Sequence, residues 1–114
     1  MSLNKVLIIG FAGGDPKTSE SGMTKVARLS VATSEKYNDK DITEWHSVVA
    51  FGKTAEIAAQ VRKGQMVYVE GKIRTRSYEK DGATKYVTEI LADKVSILER
   101  KEKNEQSQGQ LPWL

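Results

Sequence analysis

Thr54–Lys63, read as TAEIAAQVRK and followed by Gly64, is the stretch of this 114-residue chain that departs from strand-like alternation. Ala55, Ala58 and Ala59, with Ile57 and Val61, recur at helical spacings; Arg62 and Lys63 fall in the last turn, and Gly64 is a natural terminator. One short helix is therefore expected here. Immediately before it, Ile42 to Phe51 alternates, with Trp45, Ser47, Val49 and Phe51 on one strand face and His46, Val48 and Ala50 on the other. Further back, Lys25 to Thr33 alternates in the same way, and the polar residues Asn38 to Asp41 turn the chain between these two strands. Asn4 to Phe11 is rich in β-formers and runs into Gly13, Gly14, Asp15 and Pro16, which cannot extend a strand. Beyond the helix, Gln65 to Tyr78 returns to strand character, Asp81-Gly82 supplies a turn, and Tyr86 to Leu91 with Val95 to Leu98 completes the regular part.

Three strands, one short helix and at least two more strands, with no repeat and no internal linker, make an all-β chain. The order fits a five-stranded barrel of the oligonucleotide-binding (OB) type, with the helix between the third and fourth strands. Closure also removes the unpaired edges that short strands with polar outer faces would otherwise present. On pattern alone a small sandwich stays open. From Arg100 the apolar periodicity is lost, so residues 1–100 are expected to form one domain and residues 101–114 a short flexible tail.

Composition narrows the chemistry. Eighteen lysines and arginines against fifteen acids leave a net charge of +3, which favours an anionic partner without requiring one. With no cysteine, disulfides, thiolate zinc sites and cysteine nucleophiles are excluded. The apolar run Val6 to Ile9 is too short for a signal-peptide core or a membrane span, so a cytoplasmic protein is expected. Gly52-Lys53-Thr54 looks like the end of a phosphate loop, but Ser47 stands where that motif needs glycine. Gly10 to Gly14 opens no helix, and a turn accounts for its glycines. His46 is the single histidine, so a metal site would need an unusual carboxylate set; no metal or other cofactor is expected. Ser47 follows His46 directly and points to the opposite strand face, and the carboxylates form no acid–base pair, so no catalytic residue is expected.

The informative strand is Lys72, Arg74, Arg76 and Tyr78, alternating with Ile73, Thr75 and Ser77. Three cations and a ring on one face suit a groove that follows phosphates and offers a surface on which any base stacks. The same pattern suits a solvated face whose cations balance Glu70 and Glu79. Trp45 and Phe51 share a strand face, and Tyr37 and Tyr78 stand beside the two hairpin turns, so all four are candidate stacking platforms; burial is the competing reading, because Val49 shares the face of Trp45 and Phe51. Together with Lys53, Arg74 and Arg76 they favour binding.

The chain resembles the bacterial single-stranded DNA-binding protein family over roughly Leu3 to Leu98. The stretches that carry the resemblance are Asn4-Lys5-Val6, Gly10 with Gly13-Gly14-Asp15-Pro16, Ala32-Thr33-Ser34-Glu35, Thr43-Glu44-Trp45-His46, Phe51-Gly52-Lys53, Arg62-Lys63-Gly64, and Tyr68-Val69-Glu70-Gly71 leading into Arg74-Thr75-Arg76. The resemblance implies that Tyr37, Trp45, Phe51 and Tyr78 stack bases. It also implies that Lys5, Lys53, Lys63, Arg74 and Arg76 contact the DNA backbone. It further implies a homotetramer with His46 and Tyr68 near subunit contacts. Two of the aromatics are tyrosine where the family often has tryptophan, and Phe11 replaces a common asparagine. The family's long tail, ending in acids before an apolar tip, is here reduced to Lys101–Leu114, where two lysines cancel Glu102 and Glu105 and no acid directly precedes the Leu111-Pro112-Trp113-Leu114 tip. Recruitment of replication or repair proteins is therefore expected to be altered or absent, and an origin on a plasmid, phage or mobile element is suggested.

The expected function is sequence-independent binding and protection of single-stranded DNA in replication, recombination or repair, at the bacterial nucleoid or an element's DNA. The alternative is a primosome-type protein-interaction module on the same barrel. A carboxylate–metal nuclease is a further rival without a residue set to support it.

Overall fold

The computed structural model describes residues 1–98. The chain runs β1 (Val6–Ala12), β2 (Lys17–Ser21), β3 (Thr24–Tyr37), β4 (Lys40–Phe51), α1 (Gly52–Ala58), β5 (Met66–Lys80) and β6 (Ala83–Ile97). Hydrogen bonding orders the strands β1-β5-β6-β4-β3-β2, and a further β1–β3 pairing closes the first five of these into a barrel with β2 outside the ring. This is the five-stranded OB barrel expected from the order of elements, not a sandwich.

Alternation builds the interior. Val31, Leu29 and Ala27 of β3, Val48 and Ala50 of β4, Val67 and Val69 of β5 and Ile90 of β6 form one buried cluster. Burying each valine or leucine is worth about 1.5–3 kcal/mol over leaving it in water. Ala55 and Ala58 of α1, with Val61 just past it, plug one end. β3 and β4 pair without a register break from Val26↔Phe51 to Tyr37↔Lys40, and turn through Asn38 and Asp39, both at positive φ. Asp81 and Gly82 do the same between β5 and β6, the conformation that favours Asn, Asp and Gly in tight hairpins.

Three features differ from the sequence reading. First, α1 starts two residues earlier and stops at Ala58, so Arg62 and Lys63 lie outside it. The following residues are recruited to seal the barrel end: Gly64 N donates to Ala12 O, Ala12 N to Gln65 O, and Lys63 N to an Asp15 carboxylate oxygen. Those bonds cannot form if the helix continues. Second, β2 was not foreseen because all its residues are exposed, leaving no apolar face to alternate. Third, β6 is one strand rather than two. Glu70 pairs with Lys94 and Gly71 with Ala92, so Asp93 is an extra residue bulged out of the ladder, bending the strand without ending it.

β1 is paired on both sides only at its end. β5 covers Val6 to Phe11, whereas β3 reaches only Phe11 and Ala12. Along the outward face of β1, Leu7, Ile9 and Phe11 are exposed.

Candidate nucleic-acid interface

Directly paired residues project to the same side of a sheet, so the register assembles the outer face of β3–β4–β6–β5. Ala32 is opposite Trp45, Ser30 opposite Ser47, and Arg28 opposite Val49. Val49 is beside Leu91, while Arg74 is opposite Glu89, Arg76 opposite Val87 and Tyr78 opposite Lys85. The face thus gathers Trp45, Phe51, Lys72, Arg74, Arg76 and Tyr78. Trp45 keeps 63% of its surface, and Phe51 and Tyr78 are also exposed, whereas Val49 between them is buried. Burial therefore claims the valine and leaves the rings in solvent. A cleft of about 450 Å³ beside Trp45 is lined by Lys17, Arg28 and Arg76, by the acids Asp15 and Glu89, and by Gly13 and Gly14. Gly13 is needed there for close approach, because a Cβ would enter the six-membered ring of Trp45.

Other candidates stand elsewhere. No register break intervenes along β3, so alternation puts Tyr37 on the side of Val31 and Leu29, the opposite face of the β3–β4 ribbon from Trp45. Lys53 is exposed in the first turn of α1, next to Phe51 at the far end of β4. Lys63 is exposed in the loop after α1, its backbone held by Asp15. Lys5 is ion-paired with Glu70 at 2.7 Å, and Glu70 also accepts from the Tyr68 hydroxyl at 2.8 Å. His46 and Tyr68 occupy different surfaces. His46 shares the inward side of β4 with Val48 and meets the Thr33 hydroxyl at 2.9 Å, whereas Tyr68 lies opposite Ile9 beside the exposed apolar stripe of β1. The tail tip Leu111–Leu114 lies outside the described residues.

The counter-ion of the cationic strand is neither Glu70 nor Glu79 but Glu89. One carboxylate oxygen accepts from Arg74 Nη2 and Arg76 Nε, both at 2.9 Å, and the other faces Arg28 Nη1 at 3.5 Å. Arg28 and Glu89 were not singled out from sequence. Arg28 was visible as an outward residue of an alternating strand, but nothing local told which acid it would meet 61 residues away.

These contacts have a pH signature. Burial alone raises the Glu89 pKa, but hydrogen bonds from Arg74 and Arg76, with their charges, outweigh it and hold the carboxyl below the ordinary 4.5. Glu70 is shifted the same way, by the Lys5 hydrogen bond first and that of Tyr68 second. A carboxyl with a depressed folded-state pKa contributes fully above its unfolded value and loses that contribution as pH falls through the folded one. Thermal midpoints should therefore hold down to about pH 5, fall steadily below about pH 4.5, and fall less steeply in a Glu89→Gln variant. An equal acid slope in wild type and variant would remove Glu89 from this account.

Among the described residues, no group of three or more His, Asp or Glu is placed to hold a metal ion, and no helix is long and apolar enough to cross a membrane. A family model described as the single-strand binding protein family matches residues 3–98. A solved structure, the Plasmodium falciparum SSB complex with ssDNA, is similar at 32% sequence identity with a TM-score of 0.79, covering 87% of this chain and 97% of that one.

Proposed function

The chain belongs to the single-strand binding protein family and binds single-stranded DNA without chemistry on it; from that premise, we propose that the strand lies along the outer face of β3–β4–β6–β5. What supports this is the gathering of exposed Trp45, Phe51 and Tyr78 with Lys72, Arg74, Arg76 and Arg28 on one surface. The rings stack bases of any identity, and the cations release counter-ions from the phosphates. Lys53 and Lys63 extend the basic track past α1. Lys5 joins by exchanging Glu70 for a phosphate, an exposed pair of little intrinsic strength. Tyr37 is reached by a strand that passes around the β3–β4 hairpin.

We further propose that the protein works as a homo-oligomer, a tetramer by family resemblance. The half-paired edge of β1 and its exposed Leu7, Ile9 and Phe11, next to Tyr68, suit pairing with a second copy. Such an assembly multiplies the faces available to one strand at the nucleoid, in replication, recombination or repair.

Tryptophan fluorescence tests the strand's path. In a Trp113→Phe background, a long oligothymidine should quench Trp45, the matching duplex should not, and salt should weaken the response. Four cations on phosphates give a slope of about −3 for the logarithm of affinity against that of salt. Tight oligothymidine binding with no change in Trp45 emission would move the strand off this face.

A further inference from the structure

Glu89 is an anion set among the cations Arg28, Arg74 and Arg76, and its side chain keeps only 2% of its surface. A buried carboxylate is costly unless paired, and fold stability alone gives no reason to place it there, since apolar residues of similar volume replace buried ion pairs without loss in many proteins. Its neighbours on β6, Val87 and Leu91, show that apolar side chains fit this face. The informative detail is how the arginines are held. Arg76 uses Nε on Glu89, and neither of its Nη groups makes a hydrogen bond among the described residues. Arg74 uses Nη2, and its buried Nε has no partner. Each guanidinium is thus gripped at one point, the Nη groups of Arg76 are left over, and a single carboxylate on β6 ties down arginines of β3 and β5.

We propose that Glu89 is a positioning residue for single-strand capture: without touching DNA, it fixes Arg74 and Arg76, with Arg28, in the orientation that receives phosphates. This rests on the phosphate-contacting role proposed above for those arginines.

Two effects oppose each other, and their sizes decide the sign. A phosphate on the far side of a guanidinium lies roughly 7 Å from the carboxylate, across two hydrogen bonds and the planar group. Repulsion at that distance weakens binding about fiftyfold at the effective dielectric near a protein surface, and about fivefold once physiological salt screens it. Freezing an unrestrained arginine on a phosphate weakens binding by up to about thirtyfold, and Glu89 removes part of that cost for at least two side chains. In physiological salt, orientation therefore outweighs repulsion, and losing the carboxylate should weaken binding even though the face becomes more positive.

Glu89→Gln is the test, since it keeps shape and one acceptor. Affinity for a long oligothymidine would be measured across a salt series in wild type, Glu89→Gln, Arg76→Ala and the double variant, with thermal melts confirming folding. We expect about a tenfold weaker Glu89→Gln complex in physiological salt, a salt slope no shallower than wild type because every cation remains, and a clearly smaller effect of the same change when Arg76 is already alanine. Equal or tighter binding by Glu89→Gln in that salt would overturn the proposal, as would an undiminished tenfold loss in the Arg76→Ala background. If Glu89→Gln does not fold, Glu89→Asp serves: it keeps the charge and shortens the reach, so weaker binding at unchanged net charge supports positioning and wild-type affinity opposes it. Arg76→Ala binding as tightly as wild type would instead remove the arginines from the strand's path, a failure of the functional reading.

Discussion

Replacing Trp45 and Phe51 together by alanine should weaken the complex with single-stranded DNA at least thirtyfold while leaving the barrel folded. Each lost base–aromatic stack costs ~1–3 kcal/mol. The two sites are six residues apart on β4, about 20 Å along a strand, far enough for the two losses to add. Neither ring belongs to the buried cluster, and both are exposed, so truncation opens no cavity. The ring of Trp45 rests on Gly13, which holds a flat surface ready for a base before DNA arrives. Titration of the double variant with oligothymidine, alongside its thermal melt, separates binding from stability. An affinity within twofold of wild type, from a folded protein, would show that the bases stack elsewhere.

The largest effect on the fold is expected at two glycines. A methyl group on Gly10 would run into the carbonyl oxygen of Ala32, and one on Gly71 into the carbonyl oxygen of Leu91 and the Cα of Ala92. These obstacles are the backbones of neighbouring strands, which no rotamer change moves. Gly10→Ala pries β1 from β3 where the barrel closes, and Gly71→Ala pries β5 from β6 at the Asp93 bulge. Overpacking of this kind costs up to about 3 kcal/mol or more, a large share of the ~5–15 kcal/mol that a domain commands. Melting should fall by about 12–24 °C for each variant. Gly14→Ala is the control, since a Cβ there meets nothing and the backbone is not in the left-handed region. Variants at Gly10 and Gly71 that melt with the Gly14 control would mean the strands give way more easily than their spacing implies.

How much of this was legible in the sequence follows from which residues carry a local signal. β3 and β4 announce themselves because one face is buried and the other is not, β1 because it is a run of β-formers, and Asp81-Gly82 marks its hairpin because few residue pairs accept that backbone. That Trp45 and Phe51 share a face of β4, and Lys72, Arg74, Arg76 and Tyr78 a face of β5, was readable from unbroken alternation; that the two faces form one surface follows from their pairing through β6. What escaped depends on partners distant in sequence. Residues 59–63 read as helix until Ala12 and Asp15 compete for the backbone of this segment. β2 has no buried side to reveal it, and the Asp93 bulge interrupts an alternation that the ladder itself survives. Arg28 and Glu89 look like ordinary surface charges until three strands bring them together. In sequence a turn accounts for the glycines from Gly10 to Gly14, whereas in the fold Gly10 and Gly13 are small because another backbone and an indole ring lie against them.

Closure of the ring also sets a timetable for synthesis. Of the barrel's strands β1 is made before the others, yet its main partner is the stretch from Met66 to Gly71, and Val6 pairs with Gly71 itself. At ordinary elongation rates of about 5–20 residues per second, that partner follows roughly 3–12 s later. For those seconds Leu7, Ile8 and Ile9 travel as an unpaired apolar strand, able to template association between nascent chains. The strand suited to joining finished subunits is therefore also the one most exposed to premature pairing while the chain is being made.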